Sequence, residues 1–350
     1  MKYTLCLFAL VLVIATAGQC QIIGHSEVDL VDKLPQSVMD SVGHQKWFFT
    51  HASVGGNMIS GMTDLHNQDA TRYQLTVSSV SYSNMQASDP PSSAALGCIY
   101  ECNRGNPGWS SKFTIFDNSV RLAGWCYPNV DFCMDKLCYI DQDASADDYI
   151  SSMSALEALS PTTIFVYTTM PLMTSSDSSN VLRNQYNEAV RTYCSTNKKL
   201  LLDIADIEAY DPNGVEQTFQ YNSATWQKLY SGYTSDGGHL NSTGRQRVAK
   251  GWYAVAAATV PYGVNNRGAA DVVTGAAASK KWFMVWGKVA TPIDADSFWL
   301  DDGAGKKVKV VAPAHNEVNE GDMVKVWGAM DNSTGTAVIT TTAGRITDLN

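Results

Sequence analysis

The chain has 350 residues, which at ~100–200 residues per domain means two domains, or one large domain with a small appendage. Its 25 Lys and Arg stand against 34 Asp and Glu, a formal charge of −9 with no run of basic residues; nucleic acid is disfavoured as a partner, because binding it needs a basic face to displace counterions. Charged residues are only 17% of the chain, against ~25% in ordinary globular proteins, a neutral polar balance that many extracellular proteins share.

In chain order, the first element reads as an export signal. Lys2 supplies one positive charge, and residues 5–17 form an uncharged apolar run. A membrane-spanning helix takes ~20 residues, so this run fits a signal-peptide core instead. Residues 1–20 are the expected signal, with cleavage after Ala17 (Ala15-Thr16-Ala17) or after Cys20. The mature protein is then secreted or otherwise extracytoplasmic. Lipoprotein anchoring at Cys20 is the minor alternative, opposed by Gln19, where such a signal has a small residue. No later stretch approaches 18 apolar residues, and no transmembrane segment is expected in the mature protein.

Residues 21–262 then alternate short apolar runs with helical spacing. Strands are expected at 46–50, 73–80, 130–140, 163–168 and 199–203, runs of the length of a strand buried on both faces. Helical spacing groups Tyr149, Met153, Leu156 and Leu159 within 147–159, and Leu182, Tyr186, Ala189 and Tyr193 within 180–193. A third helix, 241–258, opens with Ser242 and Thr243 and ends in an alanine-rich stretch. The alternation implies crossover connections, and so an α/β fold with a doubly wound, mostly parallel five-stranded sheet. Residues 263–280, rich in Gly, Ala and Asn, read as a linker. Strand-like runs at 282–289, 297–300, 307–311, 323–327 and 337–341 follow, with turn signals between, and 281–350 is expected to be a small C-terminal all-β barrel.

The candidate chemistry begins just after the first of these strands. Thr50-His51-Ala52-Ser53-Val54-Gly55-Gly56-Asn57 is an apolar strand, a small-residue turn with a central Ser, and a helical start. Ser53 thereby falls at a strand C-terminus beside a helix N-terminus, where open α/β sheets bind ligands and backbone N–H groups receive an oxyanion. A helix N-cap explains the same residue equally simply. The second piece is Ser235-Asp236-Gly237-Gly238-His239, directly before the last helix. An acid three residues ahead of a His on a Gly-Gly loop can hold Nδ1–H and leave Nε2 for a serine hydroxyl.

With both pieces present, roughly residues 45–258 resemble the SGNH/GDSL-type serine hydrolases. The nearest likeness is to a bacterial subgroup with H-x-S-V-G in place of G-D-S, matching His51 to Gly55. The stretches 136–141, 168–172 and 236–244 also look like that subgroup. The resemblance implies Ser53 as nucleophile, His239 as general base and Asp236 as its orienting partner, with no cofactor and no metal. Two departures stand out: the Asp before the serine is missing, and Cys138-Tyr139-Ile140-Asp141 replaces the family's G-x-N-D. Substitute oxyanion donors are expected from the Ser53 N–H, the Gly105 N–H and the Asn106 side chain. The C-terminal stretches 298–313 and 320–328 resemble OB-like β-modules of secreted bacterial proteins.

Other groups read as secondary. His51 either lines the site or is a hydrogen-bonded structural His. Asp203, Asp206, Glu208 and Asp211 read as loop and helix-start residues, with calcium a minor alternative. Trp109, Trp125, Tyr127 and Trp226 are buried packing or a sugar-stacking surface. Asn241 and Asn332 begin glycosylation sequons. Cys6 leaves with the signal, and Cys98, Cys102, Cys126, Cys133, Cys138 and Cys194 suggest disulfides. The expected bridges are Cys98–Cys102 and Cys126 with Cys133 or Cys138.

The leading expectation is a secreted esterase that removes acyl groups, chiefly acetyl, from carbohydrate or another small ester. The alternatives are a lipid esterase, or a non-catalytic cell-surface or polysaccharide-binding protein on the same scaffold. The missing Asp and Asn favour the non-catalytic reading, and the Ser, Asp and His oppose it.

Overall fold

The computed structural model describes residues 21–34, 36–86, 97–260, 281–303, 307–313, 315, 318–331, 336–341 and 346–349. The expected signal, the expected linker and the Asn332 sequon lie outside the described residues. The chain divides into two compact units, one formed by Cys20–Val260 and one that includes Pro261–Asn350.

In the first unit the elements run β1 (Gln21–Ile23), α1 (His25–Val28), α2 (Gln36–Val42), β2 (Lys46–His51), α3 (Val54–Gln68), β3 (Thr76–Ser79), α4 (Tyr82–Gln86) and β4 (Cys98–Asn103). They continue with α5 (Trp109–Arg121), β5 (Phe132–Asp135), α6 (Ala146–Leu159), β6 (Ile164–Thr168), α7 (Ser178–Asn197), β7 (Leu200–Leu202) and α8 (Ile204–Ala209). A small hairpin, β8 (Thr218–Tyr221) with β9 (Ala224–Gln227), and α9 (Ser242–Ala258) complete the unit. The seven-stranded sheet has the order β1-β7-β6-β5-β2-β4-β3, and every pairing in it is parallel.

The sheet thus has seven strands where five were expected, and β1 and β4 are the additions. Strand β4 lies between β2 and β3, in register from Lys46↔Cys98 to His51↔Asn103. Its Cys-x-x-x-Cys spacing had suggested a bridged loop. In an extended strand, however, four residues span ~13 Å, well beyond the ~7 Å that a disulfide tolerates between Cα atoms. None of Cys98, Cys102, Cys126, Cys133, Cys138 and Cys194 is joined in a disulfide. Cys133 donates to the Trp125 carbonyl at 3.0 Å, and Cys138 Sγ lies 3.3 Å from the Ala52 carbonyl. Both expected bridges are therefore corrected.

Alternation along β2 builds two cores. Phe48 faces one layer, stacking on Trp125 at 4.7 Å and lying 6.3 Å from Phe116 of α5. Trp47 and Phe49 face the other, against Trp252 of α9 at 5.2 and 4.9 Å. Such a strand, apolar on both faces, belongs in the middle of a parallel sheet. Helices α3 and α9 lie side by side, and Gly61 is what permits it: a Cβ there would stand 2.2 Å from the Arg245 carbonyl oxygen. Because α9 is seated on α3, the loop that precedes α9 reaches the N-terminus of α3.

The second unit is all β: β10 (Lys281–Ala290), β11 (Ser297–Asp301), β12 (Lys307–Val311), β13 (Met323–Asp331), β14 (Val338–Thr340) and β15 (Ile346–Asp348). The order β10-β11-β12-β14-β13 closes on itself through an antiparallel β13–β10 pairing, with β15 added to β13. The β12–β14 pair is parallel. Inward side chains from alternate positions, among them Val285, Phe298, Leu300, Val308, Val310, Val324, Val326 and Ile339, form its buried core.

Candidate active site

Strand β2 delivers the chain to Ser53 across Ala52, and α3 starts immediately after. Ser53 has φ 54° and ψ −118°, a region that a non-glycine residue occupies only when its surroundings impose it, as functional sites do. Although Ser53 stands at the N-cap position, its side chain makes no capping hydrogen bond. The hydroxyl lies 2.8 Å from His239 Nε2 instead.

His239 Nδ1 lies 2.8 Å from Asp236 Oδ2. The other carboxylate oxygen accepts the backbone N–H of Gly238 at 3.0 Å and of His239 at 2.8 Å. These donors, the Gly238 N–H foremost, hold the Asp236 carboxyl well below the usual carboxylate range. The loop is anchored at several points. Thr174 N–H donates to the Gly237 carbonyl at 3.0 Å, and Leu240 N–H donates to Asn57 Oδ1 of α3 at 3.0 Å. Asn241 Oδ1 caps α9 by accepting from Thr243 and Gly244, and its amide nitrogen donates to Gly232 O at 3.0 Å. The sequon asparagine is thus engaged at both ends of its side chain.

Tyr139, to which the sequence reading gave no role, completes the group. Its hydroxyl is 3.3 and 3.4 Å from the two ring nitrogens of His239. The phenol meets the imidazole edge-on with centroids 5.4 Å apart, and Arg183 Nε holds the Tyr139 carbonyl at 2.6 Å. Position 238 is glycine at this contact, because a Cβ would sit 2.9 Å from the Tyr139 ring.

The expected oxyanion donors fare differently. Gly105 has φ +74°, and its N–H donates to Asn103 Oδ1 at 3.0 Å. Asn106 is exposed, yet its Oδ1 accepts from Lys112 Nζ at 3.0 Å and from Cys138 Sγ at 3.1 Å. The signal for this second contact lay in Cys138, although nothing in the sequence linked it to Asn106.

Beneath the site lies a layer of buried charge. Asp135 pairs with Arg104 at 2.8 Å and accepts from Thr50 at 2.6 Å, and Arg104 also donates to the Lys136 carbonyl at 2.8 Å. Burial lowers the Lys136 pKa and pushes Glu208 up to about 8. His51 belongs to this layer. It is buried, stacks on Phe49 at 4.8 Å and places Nε2 2.7 Å from Glu101 Oε2.

The remaining candidates do not converge on Ser53. Asp203 binds Arg191 at 2.6 Å, Asp206 accepts from His25, Glu208 accepts from Leu172 N–H, and Asp211 holds a turn at Asn213. Among the described residues no group of three or more His, Cys, Asp or Glu side chains is disposed to hold a metal ion. Trp125 is buried, and Trp109 packs on Phe113. Trp226 and Tyr193 line a shallow cavity of about 600 Å³ beside α6 and α7. Among the described residues no helix is long and apolar enough to cross a membrane.

No family model matches the chain, and no curated protein does. Among solved structures it is similar to a putative acylhydrolase from Bacteroides fragilis, with 11% identity, 61% of this chain and 86% of that one covered, and a TM-score of 0.38. A catalytic mutant of an acetylxylan esterase from Geobacillus stearothermophilus has 10% identity, with 61% and 94% covered and a TM-score of 0.39. A hypothetical protein from E. coli covers 26% of this chain and 96% of its own at 18% identity, with a TM-score of 0.22. At these identities the likeness is one of chain path, and chemistry has to be argued from the side chains themselves.

Proposed function

We propose that this chain is a serine hydrolase that cleaves ester bonds through an acyl-enzyme. One observation carries the reading: Ser53 Oγ, His239 and Asp236 form a continuous hydrogen-bonded line, 2.8 Å at each step, on a strained strand-to-helix turn. In this mechanism His239 Nε2 takes the proton as Ser53 Oγ attacks the ester carbonyl, then returns it to the leaving alkoxide. Asp236 stabilises the imidazolium and fixes its tautomer. Water, activated by the same imidazole, then releases the acid. Asn106 and the Ser53 N–H serve the developing oxyanion.

The substrate we propose is an acetyl ester on carbohydrate, met outside the cytoplasm after export. Export is supported by residues 1–20, and the acetyl and carbohydrate parts are supported only by analogy with secreted esterases. The test compares turnover of p-nitrophenyl acetate by the wild type and by Ser53→Ala. Activity that vanishes in the variant supports the reading, and equal rates overturn it. A panel of acetylated polysaccharides set against long-chain esters then separates carbohydrate from lipid substrates.

A further inference from the structure

Resting on that reading, we infer that Lys112 is a positioning residue: it fixes which end of the Asn106 carboxamide is presented to the reacting carbonyl. Lys112 lies on α5 and is completely buried. Its ammonium donates to Asp141 Oδ2 at 2.5 Å and to Asn106 Oδ1 at 3.0 Å. An ammonium has donors and no acceptor, so the atom facing it must be the amide oxygen. The Cys138 thiol is a second donor to the same oxygen at 3.1 Å. Two donors converging on Oδ1 leave the NH₂ group as the outward end of a side chain whose residue is exposed.

The location gives this orientation its meaning. Cys138 Sγ is also 3.3 Å from the carbonyl of Ala52, the residue before Ser53, so the cluster abuts the nucleophile's own peptide. Asp141 Oδ2 closes the arrangement by accepting Cys138 N–H at 2.7 Å. That bond holds the short helical turn Tyr139–Asp141, which carries Tyr139 to His239. A buried ion pair such as Lys112–Asp141 is a poor stabiliser, since desolvation offsets its attraction. Orientation is a better reason for its presence. A carboxamide turned the other way would point oxygen lone pairs at developing negative charge, whereas the pinned one offers a preorganised donor.

The test uses three changes on the full chain, read by kcat and KM on p-nitrophenyl acetate with folding checked by thermal melting. Asn106→Asp keeps an oxygen for Lys112 and Cys138, while it replaces the NH₂ donor by a second carboxylate oxygen and brings a negative charge to the oxyanion. It should lower kcat by about 10²–10³-fold, the effect of losing one oxyanion donor, with KM little changed. Lys112→Met combined with Asp141→Asn removes both buried charges and should lower kcat by about tenfold or more through misplacement of the amide. In an Asn106→Ala background the same pair should cost nothing further, because the amide oxygen that Asp141→Asn retains still accepts the Cys138 N–H that holds the Tyr139 turn, and no carboxamide is left to orient. Wild-type kcat in Asn106→Asp or in the charge-free pair overturns the inference, and so do losses that simply add in the Asn106→Ala background. Failure of the esterase reading looks different: turnover would then survive Ser53→Ala, whatever position 106 carries.

Discussion

Gly61 of α3 lies so close to Arg245 of α9 that a Cβ at position 61 would stand 2.2 Å from the Arg245 carbonyl oxygen and 3.0 Å from Ala249 Cβ. This approach seats α9 on α3, and with it the Asp236–His239 loop over Ser53, while Arg245 Nε reaches back to Asp64 at 2.6 Å. The obstacle is backbone, so it cannot rotate away. Gly61→Ala should therefore destabilise the first unit by about 1–3 kcal/mol, the usual effect of overpacking. Urea unfolding should show the loss, and esterase activity should fall with it as His239 is drawn off Ser53. An unchanged midpoint would mean that the two helices part without penalty.

Asp236 bonds the imidazole Nδ1 and two backbone N–H groups at once. Asp236→Asn retains the shape but presents a donor where the ring needs an acceptor. Loss of kcat by about 10³–10⁴-fold is expected, from the wrong tautomer and a missing charge. Because the wild-type carboxyl is held well below the usual carboxylate range, it stays ionised across the mildly acidic range. The acid limb of the kcat/KM profile should consequently persist, at reduced height, in Asp236→Glu. An acid limb displaced to higher pH in the Glu variant would show that the carboxyl itself had been titrating.

The Tyr139 hydroxyl lies against both ring nitrogens of His239, while its ring supports Gly238. Tyr139→Phe keeps the ring and deletes the hydroxyl. A loss of about 3–10-fold in kcat is expected, in proportion to one hydrogen bond of about 1 kcal/mol. Thermal melting should be nearly unaffected. A large fall in melting temperature with unchanged kcat would assign the hydroxyl to folding instead.

Glu208 is buried and accepts Leu172 N–H at 2.7 Å, and burial pushes its pKa from 4.5 up to about 8. Between those two values the folded state holds a proton that the unfolded chain has released. The unfolding free energy therefore falls as pH rises through this window, since fewer protons are bound in the unfolded state than in the folded one. Glu208→Gln should flatten the decline between about pH 5 and pH 8 in urea-unfolding midpoints. A variant whose midpoints follow the wild-type slope would place the pH dependence elsewhere.

Features that depend on neighbours along the chain are legible before any folding. Buried parallel strands such as β2 and β6 announce themselves as apolar runs. Asp236 and His239 stand three residues apart on a Gly-Gly loop and meet by local folding, while Ser53 is marked by the strand-to-helix junction that contains it. The rest arises from contacts between distant segments. Strand β4 mixes Cys, Tyr, Glu and Asn and lacks a clear apolar signature, and its place between β2 and β3 comes from the order in which the crossovers return. Lys112, Asn106, Cys138 and Asp141 come from separate segments and become partners only when α5 and the loops after β4 and β5 are brought together. The physical reason is that apolar periodicity reports how a segment is buried, whereas a buried polar group is tolerable only where distant donors and acceptors satisfy it. That pairing does not exist until the sheet has been assembled.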